Sequence, residues 1–402
     1  MSRERELTRR EALSRGTAGL AALAALGIPA AAWAMQAGEE LVAFSDYTDD
    51  FRIEASPRNP RVRCYDLRRL TSWQTPADEF YTFHQTETVH ADPAAFRLTV
   101  SGFVERPRVL TLDEIVARPD RRDEAVTLEC SGNSTRPQRM SGLLSNGVWT
   151  GVSLRSLLEE CGLRPDAREV VFLGLDMERE KKWQARNQEY DIPHGRSVYV
   201  QDALHPDAML AFALNGAPLP PEQGFPLRLI LPGWYGMTQV KWLTRIHVLD
   251  RRYEGQHQSR NYLSLRAVET ADGPIWLDTS ISRNNLKSAV ARVTRRRVGS
   301  GSTFAVSGAA WGGQEPIGRV EVQVDGGTWQ PATLGERQSR YAWRLWSTDI
   351  GPLPAGAHTV ASRAFDVKGA RQPTAEERAA ALASGREDNA IWTRSFVVHD
   401  GV

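Results

Sequence analysis

The residues of this chain best suited to chemistry lie in three short stretches. The first is Thr127-Leu128-Glu129-Cys130-Ser131-Gly132-Asn133-Ser134. The apolar-alternating residues Ala125 to Leu128 read as a strand that ends on a thiol and opens into turn composition. A thiol at a strand end, with a glycine two residues on, is stiffly held yet open to a ligand. A soft thiolate there suits a transition metal. On this stretch alone a buried cysteine packed as a small hydrophobe fits as well. The other two stretches are Gly224-Phe225-Pro226-Leu227-Arg228 and Val240-Lys241-Trp242, each placing a cation among apolar neighbours. Such cations need partners. A phosphate-bearing cofactor would serve both; snorkelling stems or salt bridges are the alternative.

Other chemistries lack their signatures. There is no Gly-rich phosphate loop, no His-Glu-x-x-His and no Gly-x-Ser-x-Gly. Cys-x-x-Cys-His is missing, so no c-type haem is expected. A net charge of +1 offers no basic excess for nucleic acid.

The elements that must position these residues read as two domains, as expected for 402 residues. The first, residues 44–250, mixes strands (96–100, 170–175, 227–231) with short helices and lacks a strict βαβ rhythm. That predicts an α+β fold with a mixed sheet. Thr111 to Glu114 is a capping box opening one helix. Leu154, Leu157, Leu158 and Cys161 share one face of another, with Ser153 as N-cap and Gly162 at its end, so Cys161 is expected in the core. Cys64 receives no role. Residues 251–273 are polar and turn-rich and read as a connector. Residues 274–402 are β throughout: Val320, Val322 and Val324 alternate before Asp325-Gly326-Gly327, and Tyr341, Trp343 and Leu345 share a face. This predicts an all-β immunoglobulin-like sandwich without a disulfide. Arg295 to Arg297 read as a solvated face, with docking to an acidic partner as the alternative.

Thr8-Arg9-Arg10-Glu11-Ala12-Leu13 and the apolar run from Ala18 to Ala32 form a twin-arginine signal pattern, with Ala32-Trp33-Ala34 as a cleavage site. Residues 1–34 are therefore expected to be a signal peptide that sends the protein to the periplasm. No later segment reads as a membrane span. The mature chain keeps an odd number of cysteines, Cys64, Cys130 and Cys161. That suits a metal better than disulfide staples.

Cys130-Ser131-Gly132-Asn133 resembles the molybdenum-cysteine motif of the sulfite oxidase family of molybdopterin enzymes. Gly224 to Arg228 and Val240-Lys241-Trp242-Leu243 resemble that family's cofactor-binding segments, with Asn215-Gly216, Pro218-Leu219-Pro220 and Pro232-Gly233 in the family's order. Val324 to Trp329 and Ala342 to Trp346 resemble its dimerisation domain. The resemblance implies one molybdenum per chain on a molybdopterin, with Cys130 as the protein's metal ligand. It implies Tyr81, Thr82, Phe83, His84, Asp176, Gln223, Arg228, Gln239, Val240 and Lys241 as cofactor contacts, Lys241 near the phosphate. It further implies a homodimer that transfers an oxygen atom to or from a small sulfur compound. Electrons would pass to or from an external carrier such as a c-type cytochrome.

Three departures bear on the substrate. The family's sulfite oxidases have arginine where this chain has Phe83, tyrosine where it has Phe212, and often two arginines where it has Ser134 and Thr135. Phe83 and Phe212 thus stand at catalytic positions without a grip on a dianion. Arg136, Arg139 and Arg186 are the cations that could compensate. Phe80-Tyr81-Thr82-Phe83 and Gln223 also resemble the related methionine-sulfoxide reductases. A reductase of sulfoxides or other neutral oxo compounds is therefore the second reading, and a non-catalytic dimeric scaffold the third.

Overall fold

A computed structural model describes residues 38–46, 62–133, 142–182 and 186–399. The twin-arginine pattern, Ser134, Thr135, Arg136 and Arg139 lie outside the described residues. None of the helices described is long and apolar enough to cross a membrane.

The first domain carries two five-stranded sheets. One runs Arg108–Thr111, Arg97–Gly102, Leu243–Leu249, Glu169–Lys182, Gln188–Tyr199. Only the Arg97–Gly102 to Leu243–Leu249 pairing is parallel, which makes the sheet mixed. The other runs Arg228–Ile230, Met209–Leu214, Leu144–Ser153, Arg122–Glu129, with Ala217–Pro218 beside Met209–Leu214. The helix Leu154–Cys161 closes one core with Leu154, Leu157, Leu158 and Cys161 inward, its N-terminus capped by the Ser153 hydroxyl. Thr111 and Glu114 form the capping box of the helix Leu112–Val116. Capping opens both helices, and the 3.6-residue apolar period marks Leu154–Cys161.

The second domain is a sandwich. Glu39–Val42, Lys287–Val298, Gly301–Trp311, Arg344–Gly351 and Thr333–Leu334 form one sheet; Gln330–Pro331, Ile317–Val324, Gly356–Asp366 and Thr393–Val398 form the other. Val320, Val322, Val306, Val360 and Phe396 fill the space between them. After Val324 the chain reverses through Asp325 and Gly326, both at positive φ.

Three boundaries differ from the sequence reading. Phe44 does not open the first domain: Glu39–Val42 pairs with Lys287–Val298, and Phe44 lies in the sandwich core. Residues 251–273 are not merely a connector, because Leu263–Val268 forms a sheet with Ile275–Ser280 and Leu382–Ala383. Tyr341, Trp343 and Leu345 do point inward, but into two clusters that seal the domain junction rather than the sandwich. Arg296 and Arg297 are exposed, whereas Arg295 pairs with Glu40 of the added strand.

That junction covers the strand leading to Cys130. Val126 bridges to Tyr341, the Thr127 amide donates to the Tyr341 carbonyl at 3.0 Å, and the Trp343 amide donates to Thr127 Oγ1 at 2.6 Å. The free edge of Arg122–Glu129 is thereby capped by the second domain.

Candidate active site

The strand Arg122–Glu129 delivers Cys130 to a cleft. Tyr81, Thr82, Phe83, His84, Asp176, Gln223, Arg228, Gln239, Val240 and Lys241 line the same cleft. Residues far apart in the chain are thus brought together, as in the contact of Lys241 with Phe83, 158 positions away.

Two cations in the wall have no carboxylate partner among the described residues. Arg228 is buried and stacks on Trp149 at 4.7 Å. It donates to the Gln223 carbonyl at 2.9 Å, to Gln223 Oε1 at 3.1 Å and to the Gln239 carbonyl at 3.2 Å. Its Nε has no partner. Burial pulls the guanidinium down to about 10. Lys241 Nζ lies 2.9 Å from His84 Nδ1, 3.1 Å from the Glu222 carbonyl and 3.4 Å from the Phe83 carbonyl. Burial, with Arg228 nearby, pulls its ammonium down to about 7. The other ring nitrogen of His84, Nε2, lies 3.2 Å from Thr88 Oγ1; while Lys241 is charged it can only donate, so Nδ1 then accepts. Asp176 is buried with an orphaned Oδ1, and burial raises its carboxyl pKa. A cleft holding a bare Nε, a lysine among neutral acceptors and an orphan carboxylate oxygen is built around a polar, anionic guest.

Glycines let these groups approach. A Cβ on Gly174 would lie 2.2 Å from Asp176 Oδ1 and 2.8 Å from the Lys241 carbonyl. Gly224 ends the turn Pro221–Gln223 at φ +98°, and a Cβ there would lie 2.9 Å from Lys241 Cβ. Gln239 acts through the backbone: its amide bonds the Leu231 amide and carbonyl and the Trp234 carbonyl, which fixes the loop between Arg228 and Lys241.

Cys130 is buried, and burial raises its thiol to about 11 against the opposing Gly132 amide, which lies 3.5 Å from Sγ. A metal is needed to hold it as a thiolate at neutral pH. The preceding residue, Glu129, is wholly buried and accepts from Lys287 at 2.7 Å, Trp311 Nε1 at 2.8 Å and Asn133 Nδ2 at 2.9 Å. Two of those donors belong to the sandwich. Cys64 packs against the same apolar cluster and is raised to about 12 by burial, with Cys130 adding to it.

Phe212 does not line the cleft among the described residues, contrary to its expected catalytic place. It is the extra residue of a β-bulge between the pairs Thr150–Ala213 and Gly151–Ala211, and its ring lies under Arg121 at 5.5 Å. The bulge re-aims it. Arg186 gives no compensating charge: it is exposed at the tip of the hairpin Glu169–Tyr199. Sequence reasoning missed Tyr262, His194 and Met237 in the lining. It also missed Arg386, whose guanidinium stacks on Tyr262 at 4.6 Å and whose charge is felt by Cys130. The Glu387 amide donates to the Ser131 carbonyl at 2.7 Å, so this segment abuts the cysteine loop. No local pattern marks these residues; tertiary packing brings them in.

The chain matches the model of the oxidoreductase molybdopterin binding domain over residues 84–257 and that of the Mo-co oxidoreductase dimerisation domain over 278–398. It is 31% identical to the mitochondrial sulfite oxidase of Homo sapiens over 350 residues, which cover 79% of this chain and 62% of that one. It is 30% identical to inducible nitrate reductase [NADH] 2 of Glycine max over 334 residues, 73% of this chain but only 36% of the relative. Among solved structures it resembles the sulfane dehydrogenase SoxCD of Paracoccus pantotrophus, with a TM-score of 0.72, 26% identity and 90% of each chain covered. A molybdopterin fits the cleft by the chemistry of its donors: Cys130 for the metal, Arg228 and Lys241 for negative charge, and Asp176 for a hydrogen-bond donor. The matched models span both domains, and the first of them calls for the anion-seeking cleft found here. The chain belongs to the sulfite oxidase family of molybdopterin-dependent oxidoreductases.

Proposed function

We propose that this protein is a periplasmic homodimeric enzyme that transfers an oxygen atom to or from a small sulfur oxyanion. It would exchange electrons with a separate c-type cytochrome, in the manner of a sulfite dehydrogenase. The molybdenum centre, when bound, supplies two-electron redox chemistry coupled to oxygen transfer. The chain's own residues do the rest. Cys130 holds the metal, and its strand is fixed by the Glu129 network. Lys241 and Arg228 meet the cofactor's negative charge, with Lys241 keeping its proton because an anion is there to pair with it. His84, pinned by Thr88, presents Nδ1 to Lys241.

The observation that carries the substrate reading is Arg386. The cation lost at Phe83 is not restored in that segment, but Arg386 of the other domain stacks on the cleft residue Tyr262, its charge acts on Cys130, and its neighbour Glu387 bonds the Ser131 carbonyl. A guanidinium there suits an oxyanion. The names of two relatives, sulfite oxidase and sulfane dehydrogenase, support a sulfur substrate. Phe83 in the cleft lining favours the second reading, reduction of a neutral sulfoxide.

Steady-state assays on molybdenum-loaded protein separate the readings. Sulfite with oxidised cytochrome c tests the first, and methionine sulfoxide or nitrate with a reduced dye tests the others. Sulfite turnover of roughly 1 per second or faster is expected. Turnover confined to the sulfoxide or to nitrate would refute the sulfur-oxyanion reading. Cys130→Ser should lose turnover while remaining a folded dimer by size-exclusion chromatography; undiminished rates in that variant would refute the metal assignment.

A further inference from the structure

The hairpin Glu169–Lys182 to Gln188–Tyr199 breaks register at one place. Leu173 pairs with Gly195 and Met177 with Pro193, so Gly174, Leu175 and Asp176 oppose His194 alone. Such a bulge re-aims side chains. Asp176 and His194 both line the cofactor cleft. Two residues beyond Asp176, Glu178 meets His194 from the opposite strand and His257 from the short helix Gln256–Ser259.

We propose that Glu178, His194 and His257 form a binding site for one divalent transition-metal ion of the zinc class, beside the cofactor cleft that His194 lines and separate from the Cys130 centre. One ligand atom from each residue lies within 4.8 Å of the other two. His257 Nε2 is 2.8 Å and His194 Nδ1 4.0 Å from Glu178 Oε1, and the two rings sit 4.6 Å apart at 37°. Ligand atoms at about 2.0–2.1 Å from a tetrahedral zinc are separated by roughly 3.3 Å, and these distances straddle that value. Two imidazole nitrogens and one carboxylate oxygen are a donor set for zinc, cobalt or iron, not for magnesium or calcium.

The support for the ligands is built in. His257 is buried, and its carbonyl accepts from the buried Arg196, which also donates to the Ile281 carbonyl at 2.8 Å. Tyr262 packs on the His257 ring at 5.9 Å. Without a metal, one carboxylate faces two imidazoles that repel each other if both are charged. A divalent ion replaces both protons, leaves the set with one net positive charge, and keeps room for water or a substrate oxygen. That charge would stand close to Asp176, whose buried carboxylate feels His194. The site is independent of which sulfur compound is turned over.

The test uses the full-length, molybdenum-loaded protein after chelator treatment. Zinc is added, and zinc and molybdenum per chain are measured by elemental analysis; cobalt serves as the spectroscopic probe. About one tightly held zinc per chain is expected beside the molybdenum, with visible d–d bands on cobalt loading. Glu178→Gln and His257→Gln should each weaken zinc binding roughly tenfold or more, with molybdenum content retained as the sign of an intact fold. Equal zinc affinity in wild type and both variants overturns the site. So does a wild-type protein that holds no more zinc than Glu178→Gln, or a cobalt spectrum the variants leave unchanged.

Discussion

Two lysines withdrawn from solvent sit on either side of the domain junction, and they are held in opposite ways. Lys287, in the sandwich, is fully buried and paired with Glu129 at 2.7 Å. Lys241, in the cleft, meets two carbonyls, an imidazole and the face of Trp242, with no carboxylate among the described residues. The first pair is complete within the chain. The second cation is complete only when an anion enters. A buried charge matched by a protein carboxylate marks architecture, and one matched by neutral groups marks a binding site.

Breaking the completed pair should have the largest effect. Lys287→Met leaves the Glu129 carboxylate buried with no cation and should cost about 3–5 kcal/mol in urea unfolding of the cofactor-free protein. Lys241→Met should leave that stability unchanged or slightly higher, since it removes an uncompensated charge. Equal losses in the two variants would erase the distinction. Next in size, Lys241→Met should weaken cofactor retention by roughly 10- to 100-fold, about 1.5–3 kcal/mol for a charge-assisted hydrogen bond. Molybdenum content after dialysis reads this directly. The smallest effect is on pH dependence. Burial lowers Lys241 from 10.5 to about 7 in the folded, cofactor-free protein. Between those values the unfolded chain binds the extra proton, so stability rises with pH across the window and is flat below it. The slope should approach, and not exceed, about 1.4 kcal/mol per pH unit. Measured between about pH 7 and 9, it should vanish in Lys241→Met.

Much of the cleft was legible because rare residues stood in unlikely company. Cys130 at a strand end, Arg228 within an apolar run and Lys241 beside Trp242 each violated the local pattern, and all line the cleft. The helix ending at Cys161 was legible from its caps and period. What was illegible depends on register and on chain crossings. Phe212 sits where a bulge shifts it, and a bulge leaves no mark in a run such as Met209–Leu214. Phe44 looked like the start of the first domain, yet its partners come more than two hundred residues later. Tyr262 reaches the cleft, and Arg386 reaches Tyr262, from segments whose composition is that of ordinary turns.

The Glu129 network also orders events during biosynthesis. The ribosome releases Glu129 158 residues before Lys287 and 182 before Trp311. For that interval the carboxylate beside Cys130 has neither its ammonium nor its indole. A nascent first domain therefore displays an unanchored thiol loop. Loading of the cofactor belongs after translation, when the last-made half has closed over the first.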